Sequence, residues 1–277
     1  MPVKDVTEDQ IIHMMVGRTL DEKYPKSKAV IGEEMLRVEH LSGKGFNDIS
    51  FSVRTGEIMG VFGLVGAGRT ETMRGLFGAD PLSAGKIFLQ GKEIKIKNPG
   101  DAIREGIVLV TENRKEEGLV LMHDVVENAT LPNLDAFLGP VGLLRQKTRF
   151  TRSVEFGKKV DLKPLHVWKT VMNFSGGNQQ KIVIEKWIMA DAKVYIFDEP
   201  TKGVDIGAKT EIYGIMNALA ESGAAIIMIS SEMQEILGMS DTVLIMYEGR
   251  QTGYQDEHQE LTHEKLMVLG TGGSLDV

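Results

Sequence analysis

The sequence predicts an α/β fold on a mostly parallel sheet, because short apolar strand patterns alternate with helical ones and the strand patterns are apolar throughout. Candidate strands recur at residues 53–63, 107–111, 194–198, 226–230 and 242–247. The run VYIF ending at Phe197 and the run AIIMI ending at Ile229 are continuously apolar, as strands are when helices cover both faces of their sheet. The opening third differs. Residues 36–41 and 47–53 alternate polar with apolar side chains, the pattern of half-buried antiparallel strands. Residues 114–173 carry no good strand pattern and read as mainly helical. A parallel core, an antiparallel β subdomain and a helical subdomain are therefore expected.

Size and composition bound what such a chain does. Its 277 residues suffice for one large domain, or a domain with a small subdomain, with no staple needed. Cysteine is absent and the first ten residues are acidic and polar, which sets the expectation of a cytoplasmic protein. The uncharged apolar stretch at residues 223–231 is far short of the ~20 residues that cross a bilayer. Membrane contact is thus expected to be peripheral. A net charge of −7 and a pI near 5.5 oppose broad nucleic-acid binding, which rests on neutralising phosphates.

The chain echoes itself near its two ends. TEDQIIHMMVG at 7–17 resembles THEKLMVLG at 262–270, and Thr7 with Gln10 fits a capping box. Residues 1–33 are accordingly expected to be the tail of a preceding similar domain and a linker, with the polar, proline-broken YPKSKA at 24–29 as the linker itself.

Three motifs carry chemistry. GLVGAGRTE, running from Gly63 through Gly66, Ala67, Gly68, Arg69 and Thr70 to Glu71, follows a predicted strand and opens a predicted helix at residues 71–77. That is the setting of a phosphate loop, in which glycines let successive N–H groups and a helix N-terminus face phosphate oxygens. Thr70 is placed to ligate Mg²⁺. Arg69 departs from the pattern, which has lysine there, and a planar guanidinium does not replace a compact ammonium. At the end of the VYIF strand, Asp198 can hold Mg²⁺ through water and Glu199 can orient or deprotonate the attacking water. The third motif, Phe174-Ser-Gly-Gly-Asn-Gln-Gln180, precedes a helical pattern at 181–189 and makes a second anion-binding helix start. Singly, each is compatible with a tight turn, an acidic strand end or an N-capped helix. Together and in this order they are not.

Here a resemblance becomes specific. The segment from Ser175 through Gly176, Gly177 and Gln179 is similar to the signature of ATP-binding-cassette proteins, and Asp198-Glu-Pro-Thr201 with Asp205 is similar to their Walker B motif and D-loop. The likeness spans about residues 34–272, with the helical subdomain at about 114–173 and a tail at 273–277. It is strongest to the second half of the fused ATPase subunits of ribose-, galactose- or xylose-type sugar importers, which resemble this chain in the phosphate-loop arginine, the SGGNQQK signature and the TKGVD D-loop. Glu112 stands where most cassettes carry the Q-loop glutamine, a metal-site position, and Ser231 stands where they carry the switch histidine, a catalytic position.

The resemblance implies bound ATP and Mg²⁺, a P-loop NTPase core, ATPase activity driving sugar uptake, and a second cassette domain in the same polypeptide. It further implies membrane permease subunits, a substrate-binding protein acting indirectly, and a place on the inner face of the cell membrane. Because Arg69, Glu112 and Ser231 depart from the common pattern while the signature is intact, the chain's own site is expected to be the poorer one, and its signature is expected to complete the partner's. A soluble cassette ATPase acting on DNA or ribosomes, and a non-hydrolysing nucleotide sensor, remain as alternatives. Phe46 is the candidate for stacking on adenine, residues 145–152 read as a solvated basic helix face, and Trp168 and Trp187 read as core.

Overall fold

The computed structural model describes residues 24–255 and 262–274. The expected capped helix around Thr7 and the final residues 275–277 lie outside the described residues. In chain order the elements are β1 (Glu34–Gly43), β2 (Phe46–Arg54), β3 (Ile58–Phe62), α1 (Arg69–Leu76), β4 (Leu82–Leu89), β5 (Lys92–Ile94), α2 (Pro99–Glu105), β6 (Ile107–Val110), α3 (Val125–Thr130) and α4 (Gln146–Lys159). There follow α5 (Gly176–Ile188), β7 (Val194–Asp198), α6 (Ile206–Glu221), β8 (Ala225–Ile229), α7 (Met233–Met239), β9 (Thr242–Tyr247), β10 (Arg250–Gln255) and α8 (His263–Gly270).

Two sheets result. The first is antiparallel, in the order β2-β1-β4-β5. The second runs β10-β9-β3-β8-β7-β6, parallel from β9 to β6 with β10 as an antiparallel edge. Every residue of β3, β6, β7 and β8 is buried, which is why these strands read as unbroken apolar runs. At about 1.5–3 kcal/mol for each large aliphatic side chain removed from water, this sheet dominates the core. It also sets the site, because β3 and β7 flank β8 in parallel and so deliver Phe62 and Asp198 to the same end.

The expected strand at 53–63 is in fact two. A turn at Thr55 and Gly56 ends β2, and β3 begins in the other sheet. Residues 114–173 are less helical than expected: a π turn at Arg114–Gly118 precedes α3, a 3₁₀ turn at Leu131–Phe137 follows it, a second at Val171–Asn173 comes after α4, and the rest is open loop. Its apolar residues bury only in part, and Trp168 is no core residue. It is 52% exposed and stacks on Phe150 at 5.5 Å, whereas Trp187 is buried as expected. On the basic face, Arg149 turns inward and donates to the Thr130 hydroxyl at 2.9 Å.

The segment expected to be a linker is strapped to the domain. Tyr24 lies 5.7 Å from the Tyr213 ring, Asn217 donates to the Pro25 carbonyl, and Lys26 pairs with Asp241 at 2.7 Å. Polar composition hid this because the ties come from one aromatic ring, one backbone carbonyl and one charge rather than from an apolar pattern.

Candidate functional site

The glycines of the phosphate loop have distinct reasons. Gly66 and Gly68 take φ of 84° and 90°, where a side chain is strained. Gly68 also meets backbone from both sheets: a Cβ there would lie 2.8 Å from the Gly45 carbonyl oxygen and 2.9 Å from the Gly249 Cα. Gly45 and Gly249 are the turns of the β1-β2 and β9-β10 hairpins. The Gly249 N–H donates to the Ala67 carbonyl at 3.0 Å, and the Asn47 N–H to the Gly249 carbonyl at 2.7 Å. The loop is thus braced from behind. In front, Gly68 caps α1 with no side chain, so the first amides of the helix remain available to an anion.

At the end of β7, Asp198 is buried and its Oδ1 has no hydrogen-bond partner. Burial pushes its carboxyl up to about 7, the Thr70 hydroxyl bonded to it pulls the other way, and the charges of Glu112 and Glu199 raise it further against Arg69. A buried carboxylate with a bare oxygen beside a hydroxyl is a hard-oxygen donor set, and it suits Mg²⁺. Among the described residues no group of three or more His, Asp or Glu forms a metal cage. A cation here would draw its other ligands from water and phosphate, as Mg²⁺ characteristically does.

Glu199 follows with φ 46°, a left-handed backbone that costs a non-glycine residue on the order of 1–3 kcal/mol. Its N–H donates to the Ile229 carbonyl at 3.1 Å, tying it to β8. Its carboxylate lies 3.3 Å from Arg69 Nη1, each side chain only 9% exposed, and Ser231 hydrogen-bonds it from the other side. Burial raises its pKa, and Arg69 and Ser231 only partly offset that. Glu112 is held across the opening by Lys202 at 2.5 Å. These groups line a cavity of about 250 Å³ with the loop from Val65 to Glu71.

The signature residues lie elsewhere. Ser175 caps α5, accepting from the Asn178 backbone at 3.4 Å and from its side-chain amide at 3.0 Å. Gly177 lets α5 approach α6, since a Cβ would come 2.6 Å from the Ala208 Cβ, and Asp205 caps α6 by accepting from Ala208 N–H at 3.0 Å. Gln179 turns inward, its amide donating to the Val171 and Phe174 carbonyls at 3.3 and 3.2 Å. None of Ser175, Gly176, Gly177, Gln179 or Asp205 lines the cavity. The structure therefore brings together Arg69, Thr70, Glu112, Asp198, Glu199 and Ser231, and leaves the signature as a separate helix start. Phe46 is buried against Gly43 and Gly75.

Sequence reasoning missed Lys202, although it lies inside the recognised TKGVD motif. It also missed Arg114, which donates to the Lys202 and Gly203 carbonyls at 3.2 and 3.4 Å and lies against Gly176.

The family profile described as "ABC transporter" matches residues 46–202. The chain is 49% identical over 276 residues to "Ribose import ATP-binding protein RbsA" of Bacillus subtilis (strain 168), covering 98% of this chain and 55% of that protein. It is 48% identical over 273 residues to the protein of the same name from Oceanobacillus iheyensis, with the same coverage. The chain spans about half the length of these curated relatives. Among solved structures it resembles MJ1267, an ATP-binding cassette of an ABC transporter, with a TM-score of 0.72 at 20% identity over 86% of this chain and 99% of that one. It also resembles the dimeric cassette MJ0796 bound to ADP and Pi, with a TM-score of 0.69 at 16% identity over 80% and 99%. The fold, the phosphate-loop cavity and the family match agree, and the chain belongs to the ABC transporter family.

Proposed function

We propose that this chain is one nucleotide-binding half of a sugar importer's ATPase, coupling ATP binding and hydrolysis to uptake, with a weak site on its own phosphate loop and an intact signature that serves its partner's. The observation that carries the reading is the separation of Ser175 from the cavity, because a helix start built for an anion yet absent from its own site needs another copy's phosphates to act on. The name of the 49%-identical relative supports sugar, specifically ribose-type, import, and its greater length supports a second cassette in the same polypeptide. Permease subunits on the inner membrane face, and indirectly a substrate-binding protein, complete the assembly. Among the described residues no helix is long and apolar enough to cross a membrane.

The chemistry follows from the residues. The amides of Gly66 and of residues 68–71, with the Arg69 guanidinium, bind phosphate oxygens, the Ala67 N–H being committed to the Leu64 carbonyl, and Thr70 and Asp198 would hold Mg²⁺. That ion, when bound, neutralises charge developing on the transferred phosphoryl group. Glu199 orients the attacking water and accepts its proton, and Ser231 fixes the Glu199 carboxylate. Serine lacks the charge a histidine would bring to the γ-phosphate, which is one reason for a slow site.

The Arg69–Glu199 pair favours a second reading, a half that binds nucleotide without hydrolysing it. Phosphate release from the two-cassette polypeptide, with either Glu199 or the corresponding residue of the other half replaced, separates the two. Continued release at this half supports a slow enzyme, and none supports a binding half. Full activity with both replaced would overturn the assignment of Glu199.

A further inference from the structure

Glu235, on α7, is a buried carboxylate outside every motif used so far. It has four partners. The Thr201 hydroxyl donates to its Oε1 at 2.5 Å, the Tyr213 hydroxyl to the same atom at 2.6 Å, and the Ser230 hydroxyl to Oε2 at 2.7 Å. Lys209 Nζ stands 3.2 Å from Oε1. Burial would raise its pKa, but the three hydroxyls and Lys209 outweigh burial and leave it below the ordinary value, so the group stays ionised. Buried polar networks of this kind are costly when incomplete and rigid when complete.

The partners have specific neighbours. Thr201 is two residues past Glu199, and Ser230 immediately precedes Ser231, whose side chain and backbone both hydrogen-bond the Glu199 carboxylate. Ile229, one residue earlier still, accepts the Glu199 N–H. Tyr213 and Lys209 lie on α6, the helix that Asp205 caps. One carboxylate therefore fastens both backbone segments that hold Glu199 in its left-handed conformation, and anchors them to α6.

We propose that Glu235 is a positioning residue for Glu199, setting where the Glu199 carboxylate stands without touching the nucleotide. This rests on the reading of Glu199 as the group that orients water. A displacement of about 1 Å in such a group costs up to about 10²-fold in rate, whereas nucleotide binding depends on the phosphate loop and is unaffected. Glu235→Gln keeps shape but removes the charge and turns one of the two accepting oxygens, which together take three hydroxyls, into an NH₂ donor. Thr201→Val and Ser230→Ala each cut one tie and leave the carboxylate, and serve if the first variant does not fold.

The test is release of labelled phosphate from γ-labelled Mg-ATP by the full chain, with kcat and KM measured separately, in the natural sequence and in Glu199→Gln. Glu235→Gln is expected to lower kcat at least about tenfold with KM within about twofold, and Thr201→Val and Ser230→Ala to lower it less in the same pattern. In the Glu199→Gln background, Glu235→Gln is expected to add no further loss. An equal loss in both backgrounds, or a rise in KM matching the fall in kcat, makes Glu235 a merely structural group and overturns the proposal. So does an unchanged kcat while Glu199→Gln is slow. If Glu199→Gln itself changes nothing, the reading of Glu199 fails and the positioning role falls with it, an outcome distinct from the others.

Discussion

Arg69 and Glu199 face each other inside the nucleotide cavity, Nη1 to Oε1 at 3.3 Å with both side chains almost wholly buried. The guanidinium that should receive phosphate thus stands against the carboxylate that should orient water. Arg69 Nη1 makes no well-aligned hydrogen bond, so the contact is one of charge rather than geometry. Binding must part the two. The isolated chain is expected to bind Mg-ATP weakly and turn it over very slowly. Arg69→Lys, which substitutes a compact ammonium, is expected to raise affinity and turnover about tenfold, and calorimetric titration with phosphate release measures both. Rapid turnover by verified monomers of the natural chain would refute this account.

The separation of signature and cavity predicts asymmetry in the proposed two-cassette polypeptide. Ser175→Arg is expected to damage hydrolysis and transport far more than Arg69→Ala, because a bulky side chain at the α5 start blocks the partner's phosphates. Losing even one preorganised donor lowers rate by about 10²–10³-fold. Steady-state turnover and vesicle transport decide it. A larger loss from Arg69→Ala would mean that the working site has been assigned backwards.

Residues 114–173 are expected to carry the permease docking surface. They present Trp168 stacked on Phe150, with Leu165 and Met172 also exposed, an apolar patch of the kind that marks an interface. The chain has no cysteine, so single introduced cysteines are clean probes. Trp168→Cys is expected to cross-link to the permease and Lys92→Cys, on the edge strand β5, is not. The reverse result would refute the docking assignment.

Glu185 predicts a pH dependence of stability. It is fully buried, neither carboxyl oxygen has a partner, and burial raises its pKa well above 4.5. The folded chain therefore holds this proton more tightly than the unfolded chain. Its stability contribution is full below 4.5 and is lost as pH rises through the folded-state value. Glu185→Gln is expected to stabilise the fold at high pH, where an unpartnered buried carboxyl must ionise, and by progressively less as pH falls toward 4.5. Denaturant melts across that range test it, and a pH-independent difference would contradict it.

The parallel core was legible because β3, β6, β7 and β8 are buried on both faces and leave a one-dimensional trace in apolar runs. The phosphate loop, Asp198, Glu199 and the Ser175 helix start were legible because each needs fixed residue types at fixed spacing. What stayed hidden is long-range. Glu235 gathers Thr201 from the loop after β7, Tyr213 from α6 and Ser230 from just past β8, and no local pattern announces a hub. Lys202 reads as an ordinary charged loop residue until folding sets it against Glu112. Trp168 looked like core because size and apolarity do not report which side of a loop faces water. Strands β4 and β10, with glycine and polar residues in them, lacked the periodicity on which the other strands were read.

The brace behind the phosphate loop also orders events during synthesis. Residues 63–71 leave the ribosome early, but the amide that supports Ala67 belongs to Gly249, more than 170 positions later. A nascent chain halted before that hairpin has the loop's sequence and its local turn, from Ala67 N–H to the Leu64 carbonyl, without its rear wall. The loop's full bracing therefore waits on residues close to the end of the domain.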